Sequence, residues 1–159
     1  MKQTIYLLCG IPASGKSTYA KYTGKKLIEE GHTVSYISRD EVRFSILKDE
    51  DDYFAHENEV FNEFINRINQ AIHEGIEAIF VDATHISEAS REKVLRRLDL
   101  EGLDICPIVF HTPLHVCLKR NASRTGRAKV PASAIKNMAK GFSNPELDAR
   151  HYASITHYN

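Results

Sequence analysis

Tryptophan is absent from this 159-residue chain, and no apolar run approaches the roughly 18 residues that a membrane span requires. Cysteine occurs only three times, at Cys9, Cys106 and Cys117, without a C-x-x-C pair. This odd, scattered set excludes a disulfide scaffold and favours reduced, mostly buried thiols. The apolar run at residues 5–9 is too short for a signal peptide. We therefore expect a cytoplasmic protein without membrane contact.

Net charge is also absent, because 21 Lys and Arg residues balance 21 Asp and Glu residues. This balance argues against a protein that coats nucleic acid over its whole surface. The charges are nevertheless segregated along the chain. Residues 105–145 contain seven basic and no acidic residues, whereas residues 40–63 contain nine acidic and two basic residues. Such a chain can form one basic surface that binds an anionic ligand. The alternative is two solvated helix faces of opposite charge.

The length and the 42% hydrophobic content fit one compact domain with its own core, spanning residues 1–159. Short β-rich runs alternate with helical patterns along the chain. Strands separated by helical crossovers pair in parallel, so we expect an α/β fold with a mainly parallel sheet and helices on both faces. The predicted strands are 4–9, 32–38, 76–81, 103–110 and a last short one over 152–157. The predicted helices are 16–30, 87–100, 112–123 (capped by Thr112) and 131–141, and the segment 40–74 is predicted to be largely helical.

The strongest motif runs from Gly10 to Ser17 and satisfies G-x-x-x-x-G-K-[ST] between a predicted strand and a predicted helix. Its glycines let the backbone wrap a phosphate closely, so that successive N–H groups point inward. Lys16 would then meet the β- and γ-phosphates, and the Ser17 hydroxyl would bind Mg²⁺. The segment therefore predicts a P-loop that binds ATP and Mg²⁺ through Gly10, Ala13, Ser14, Gly15, Lys16, Ser17 and Thr18.

Carboxylates follow the second and third predicted strands. Ligands of open parallel sheets bind at the carboxyl ends of the strands, so Asp40 and Asp82 should face the P-loop. Asp40 would take the proton from an attacking hydroxyl, and Asp82 would hold Mg²⁺ through water. Arg43, three residues after Asp40, would grip an acceptor phosphate. The alternative is that Asp40 caps a helix and Asp82 caps a turn.

A basic segment over about residues 120–131 predicts a lid. Together with Lys119 it packs five basic residues around Gly126. A loop of this kind neutralises the transferred phosphoryl group and keeps water out. We expect Arg124 to contact the phosphoryl group, with Arg120 beside it one turn earlier. The alternative is a solvated basic helix end.

Four segments together resemble the kinase domain of the bacteriophage polynucleotide 5′-kinases, within the adenylate-kinase-like P-loop group. They are Gly10 to Thr18, Ser38-Arg39-Asp40-x-x-Arg43, Asp82-Ala-Thr84, and the stretch from Lys119-Arg120-Asn121 to Val130-Pro131. The phosphatase domain that accompanies the best-known phage kinase does not follow here, so 3′-phosphatase activity is not expected.

The resemblance implies specific roles for single residues. Asp40 would be the general base, Arg43 would hold the phosphate next to the 5′-terminal nucleoside, and Arg124 would stabilise the phosphoryl group. Thr84 and Val130 would contact the acceptor.

The expected reaction is transfer of the γ-phosphoryl group of ATP to the 5′-hydroxyl end of RNA or DNA, with only the terminal one or two nucleotides gripped. Two alternatives stay open. The first is a small-molecule kinase of the same fold, acting on a nucleoside, sugar or antibiotic hydroxyl. The second is a nucleotide-binding module without transfer chemistry.

Overall fold

The computed structural model describes residues 1–159, apart from the side chain of Arg127. Its centre is a five-stranded sheet with the strand order β2-β3-β1-β4-β5, in which every neighbouring pair is parallel. The predicted parallel sheet is therefore confirmed. The strands are β1 (Thr4–Cys9), β2 (Val34–Ser38), β3 (Ala78–Asp82), β4 (Asp104–Phe110) and β5 (Thr156–Tyr158).

Helices cover both faces of this sheet, as the alternating pattern predicts. Successive strand side chains point to opposite faces, so Leu7 of β1 joins one core cluster and Leu8 joins another. The first cluster includes Phe64 and Ile68, and the second includes Ala20. The helices are α1 (Lys16–Glu29), α2 (Arg39–Ile46), α3 (Glu57–His73), α4 (Glu88–Leu95), α5 (Leu114–Ala122) and α6 (Ala132–Lys140).

The strand register brings the ends of β1, β2 and β3 to the same edge of the sheet. Asp82 of β3 pairs with Leu8 of β1 on one side and with Ser38 of β2 on the other. The loop after Cys9 and the helix that begins at Arg39 therefore start on either side of the end of β3. This edge holds the candidate site.

The segment 40–74, which was predicted to be largely helical, consists of two helices with a break between them. α2 ends at Ile46 and α3 begins at Glu57. Residues 48–52 are all charged and therefore offer no apolar face to pack on the core. A turn replaces the helix there, with the Asp51 carboxylate accepting a hydrogen bond from the backbone N–H of Lys48 at 2.8 Å.

Two other predicted boundaries shift. The helix expected over residues 87–100 ends as α4 at Leu95, although Leu98 is still buried in the turn that follows. The last strand begins at Thr156, whereas Tyr152 packs into the core cluster.

Thr112 does not cap α5, contrary to the sequence prediction. The N-cap position is Pro113, and the hydroxyl of Thr112 donates instead to the carbonyl of Ser14 at 2.7 Å. This hydrogen bond ties the end of β4 to the P-loop.

A buried ion pair attaches the C-terminal segment to α4. Arg91 of α4 donates from Nε and Nη2 to both carboxylate oxygens of Asp148, at 2.7 and 2.8 Å. Its Nη1 donates to the carbonyl of His85 at 2.9 Å, and the hydroxyl of Tyr152 donates to Asp148 at 2.7 Å. Both charged side chains are almost fully buried. Over residues 1–159, the helices are all too short or too polar to cross a membrane.

Candidate active site

A cavity of about 540 Å³ opens at the edge where β1, β2 and β3 end. The P-loop, the start of α2, the end of β3 and the basic lid all contribute to its wall. Gly10, Thr18 and Arg120 lie outside the lining, whereas the other predicted site residues meet in it: Ala13, Ser14, Gly15, Lys16, Ser17, Asp40, Arg43, Asp82, Thr84, Arg124 and Val130.

The P-loop takes a conformation that depends on its glycines. Gly15 has φ 101°, a left-handed conformation that L side chains rarely adopt. A Cβ atom on Gly10 would lie 2.7 Å from Ser14 Oγ and 3.1 Å from Phe110 Cβ, so only glycine fits there. Although Gly10 lies outside the cavity lining, it lets the loop start close against β4.

Two basic side chains donate hydrogen bonds to backbone carbonyls of the P-loop. Lys16 Nζ donates to the carbonyl of Ile11 at 3.0 Å, and Arg120 Nη1 donates to the carbonyl of Ala13 at 3.2 Å. Burial lowers the pKa of Lys16, while the carboxylates of Asp82 and Asp40 act in the opposite direction. A buried ammonium aimed into a loop of backbone N–H groups suits a polyphosphate anion.

Asp82 is buried at the end of β3. Burial raises its pKa, and the positive charge of Lys16 opposes that shift. The hydroxyl of Tyr36 donates a hydrogen bond to Asp82 Oδ2, and burial beside this carboxylate raises the pKa of Tyr36. Tyr36 also lines the cavity, and the sequence analysis missed it.

Ser17 and Asp82 provide a fit for Mg²⁺ of the kind found in P-loop proteins. Among the described residues, no group of three or more His, Cys, Asp or Glu side chains forms a metal cage. Mg²⁺ does not require such a cage, because it binds through one or two protein oxygens, water and substrate phosphates. The hydroxyl of Ser17 and the carboxylate of Asp82 line the same cavity and supply oxygen ligands of this type.

Asp40 is not the cap of α2. Ser38 is the N-cap, and its hydroxyl oxygen accepts a hydrogen bond from the backbone N–H of Glu41 at 3.2 Å. The Asp40 side chain is 50% exposed and lines the cavity. Its Oδ1 atom accepts hydrogen bonds from the Tyr53 hydroxyl at 2.6 Å and from Arg43 Nη1. Among the described residues both hydrogen bonds use Oδ1, so the lone pairs of Oδ2 are left for another proton.

Arg43 lies beneath Asp40 and is 4% exposed. Its Nε and Nη2 atoms donate to Glu57 at 2.9 and 3.1 Å, and Nη1 donates to the Tyr53 hydroxyl at 2.9 Å. Burial would lower its pKa, but hydrogen bonding to Glu57 and the neighbouring charges raise it overall. With the bond to Asp40, four of its five N–H donors are engaged. An acceptor phosphate would therefore reach the guanidinium through the remaining donor or by competing with Glu57.

Sequence reasoning missed Glu57 and Tyr53. They follow Arg43 by fourteen and ten positions: Glu57 begins α3, and Tyr53 lies in the segment between α2 and α3, which was not predicted. The signal that could have revealed them is the charged run at residues 48–52, which interrupts the apolar spacing of the supposed long helix.

The lid is anchored at its two ends. Asn121 is buried, its Nδ2 donates to the carbonyl of Val130 at 2.7 Å, and its Oδ1 accepts from the Val130 N–H at 2.9 Å. Between these anchors Arg124 lines the cavity, and its Nη1 donates to the carbonyl of Ala128 at 3.5 Å. The Val130 side chain packs with Cys117 in a small apolar cluster at the base of the lid.

His85 is buried behind the P-loop with φ 43°. Its Nδ1–H donates to the carbonyl of Leu8 at 2.6 Å, while Nε2 has no hydrogen-bond partner among the described residues. Burial lowers the pKa of this imidazole to about 4, and the positive charges of Lys16, Arg39 and Arg91 act in the same direction. The residue therefore contributes a neutral ring to the support of β1.

Comparisons with known proteins identify relatives of the chain. A family model described as an AAA domain matches residues 5–145. The L-seryl-tRNA(Sec) kinase of Methanococcus maripaludis is 30% identical over 145 residues, which are 89% of this chain and 53% of that protein. The chain thus spans about half the length of this curated relative.

Two solved structures extend the comparison. A chain of the Pnkp1/Rnl/Hen1 complex is 25% identical with a TM-score of 0.60, covering 75% of this chain and 39% of that one. The APS kinase CysC of Mycobacterium tuberculosis, solved with AMPPNP and APS, is 19% identical with a TM-score of 0.67. The match covers 99% of this chain and 89% of the CysC chain, and the likeness shows a common fold.

Proposed function

We propose that this chain, which belongs to the AAA domain family, is a P-loop kinase that binds ATP and phosphorylates the 5′-hydroxyl ends of RNA or DNA. One observation carries the proposal. Lys16 of the phosphate-binding loop and the half-exposed Asp40, with Arg43 beneath it, line the same cavity. A triphosphate and a hydroxyl acceptor can therefore occupy one cleft.

The donor half of the reaction uses the P-loop. Backbone N–H groups of the loop and Lys16 bind the β- and γ-phosphates, and Arg124 approaches from the lid. When bound to Ser17, and through water to Asp82, Mg²⁺ neutralises charge on the phosphate oxygens. The lid residues keep water from the transferred group.

The acceptor half uses Asp40. Its Oδ2 atom accepts the proton of the attacking 5′-hydroxyl, while Tyr53 and Arg43 hold Oδ1 in place. The hydroxyl oxygen forms a bond to the γ-phosphorus as the bond from that phosphorus to the bridging oxygen of ADP breaks. Catalysis then comes from positioning and charge neutralisation more than from covalent chemistry by the protein.

The recognition of a polynucleotide rests on Arg43, Thr84, Val130 and the basic lid. Arg43 has one N–H donor left for the phosphate next to the terminal nucleoside. The names of two relatives support a nucleic-acid acceptor, since one is a tRNA kinase and the other belongs to a complex named with Pnkp1, Rnl and Hen1.

The direct test uses labelled ATP and a panel of acceptors with free hydroxyl groups. The panel contains 5′-hydroxyl RNA, 5′-hydroxyl DNA, nucleosides, sugars and simple alcohols. We expect oligonucleotides to have the highest kcat/KM. Transfer that is restricted to a nucleoside, a sugar or another small alcohol would instead make the protein a small-molecule kinase.

A further inference from the structure

Phe54 is an exposed aromatic ring in the wall of the cavity. It leaves 48% of its surface accessible, although it lies in the same lining as Asp40 and Arg43. Tyr22, another exposed aromatic residue, lies on α1 and outside this lining. The hydrocarbon ring of Phe54 lies in the same wall as the proposed general base, Asp40, and has no hydrogen-bonding role in the reaction described above. It is therefore available to bind part of a ligand.

The Phe54 ring is connected to Asp40, the proposed general base, through contacts of Tyr53. Phe54 and Tyr53 meet edge to face, with ring centroids 4.6 Å apart and an interplanar angle of 82°. The hydroxyl of Tyr53 in turn donates to Asp40 at 2.6 Å, and the Arg43 guanidinium lies 4.2 Å from the Tyr53 ring and 5.9 Å from the Phe54 ring. A group that packs on Phe54 is thus one aromatic ring away from Asp40.

We propose that Phe54 is the stacking platform for the 5′-terminal nucleobase of the acceptor strand, an inference that rests on the proposed function. A benzene ring stacks on the planar face of a nucleobase without regard to its hydrogen-bonding edge, so the contact tolerates every base. Sugars and alkyl alcohols have no aromatic face to stack on it. The platform brings the terminal nucleoside near Asp40, while Arg43 meets the phosphate that follows.

The charges around Phe54 limit this platform to one nucleobase, the terminal one of the strand. Residues 49–52, immediately before Tyr53, are four consecutive acidic residues. Strand phosphates are repelled from that segment and attracted to the basic lid, where residues 119–131 contain five basic residues. The strand therefore leaves the terminal base at Phe54 and continues towards the lid.

The test compares two acceptors that differ only in the terminal base. One is a 5′-hydroxyl oligonucleotide with an ordinary 5′ base, and the other is the same oligonucleotide with an abasic 5′ residue. We expect the wild-type KM to be about tenfold lower for the base-bearing acceptor, as one base–aromatic stack implies. Phe54→Ala should remove this difference, and Phe54→Trp should keep it. Tyr22→Ala is the matched control on the exposed face of α1, and it should retain the wild-type preference.

The KM for ATP is measured for each variant as a check on folding, and it should not change. Retention of the base preference by Phe54→Ala, or its absence in the wild type, would overturn the platform while oligonucleotide kinase activity stands. If the wild type phosphorylates small alcohols and no oligonucleotide, the proposed function and the platform are both rejected.

Discussion

The hydroxyl of Tyr53 donates a hydrogen bond to Oδ1 of Asp40 at 2.6 Å, although the two residues are thirteen positions apart and Tyr53 lies in the break between α2 and α3. The same oxygen accepts a hydrogen bond from Arg43. Two donors on one oxygen orient the carboxylate and leave Oδ2 for the acceptor hydroxyl in the proposed reaction. Such an orientation is what the proposed role of Asp40 as general base requires.

Removing the Tyr53 hydroxyl tests this orientation. In Tyr53→Phe the ring still packs on Phe54, but one of the two hydrogen bonds to Asp40 is lost. Because a hydrogen bond to a charged group is worth roughly 1.5–3 kcal/mol, we expect kcat to fall about tenfold or more. The KM for ATP should stay at its wild-type value in steady-state assays. Tyr22→Phe serves as the control, and an unchanged kcat in Tyr53→Phe would contradict the positioning role.

Asp40→Asn tests the proton acceptor itself. The amide keeps the shape of the side chain but cannot take the hydroxyl proton, so we expect kcat to fall about 100-fold or more. ATP binding, measured by equilibrium titration, should persist because the P-loop is untouched. Glu59→Gln, on the exposed surface of α3, is the matched carboxylate control. Full activity in Asp40→Asn would favour a nucleotide-binding module, or a kinase with another base.

Arg43→Ala tests the proposed contact with the acceptor phosphate. The wild type should phosphorylate a nucleoside 3′-monophosphate more efficiently than the free nucleoside, and the variant should lose that preference along with much of its kcat. Lysine at this position should not restore it, because an ammonium cannot reproduce the fork of donors that Arg43 presents to Glu57.

Glu57→Gln separates the structural role of the Arg43 pair from phosphate binding. This variant weakens the support of Arg43 but leaves its remaining donor free, so kcat should fall while the preference for the 3′-phosphate persists. Equal efficiency of the wild type on both acceptors would remove the basis for the Arg43 assignment.

The buried pair between Arg91 and Asp148 should dominate the attachment of the C-terminal segment. Asp148→Asn leaves a buried guanidinium without its charge partner, which costs about 3–5 kcal/mol in the free energy of unfolding. Urea unfolding measures this loss. Glu63→Gln, which breaks an exposed pair with Arg67 on α3, should cost about 0.5 kcal/mol or less. Similar losses in the two variants would show that the buried pair contributes little.

Stability should fall with acidification because of His85. Its folded pKa of about 4 lies below the ordinary histidine value of 6.5, so the unfolded chain binds a proton that the folded protein excludes. This contribution is fully present above pH 6.5 and is lost as the pH falls towards 4. His85→Asn suits the positive φ and retains a donor for Leu8, and it should flatten this part of the curve. A wild-type slope in the variant, measured by urea unfolding at several pH values, would contradict the assignment.

The P-loop could be predicted in detail because its determinants are consecutive. Gly10, Gly15 and Lys16 act through backbone conformation and one adjacent helix, and both are encoded within a single short segment. The parallel sheet could be predicted for a related reason, since alternating strands and helices leave few ways to cover a sheet.

The break between α2 and α3 illustrates what the pattern did not reveal. The apolar spacing of α3 predicts a helix, but the charged run at residues 48–52 has no apolar face to pack on the core and forms a turn instead. Tyr53, Phe54 and Glu57 were therefore not predicted as site residues, because their positions depend on how the segment between α2 and α3 folds.

The amino-acid sequence by itself determined the phosphate-binding loop, the parallel sheet and the edge at which Asp40 and Asp82 emerge, because each can be inferred from local patterns of strand, helix and turn residues. Only the tertiary structure decided that Arg43 lies beneath Asp40, bound to Glu57, and that an aromatic pair closes the same wall. Those contacts join residues that are ten to fourteen positions apart across a non-helical segment, and no local periodicity specifies how such a segment folds back.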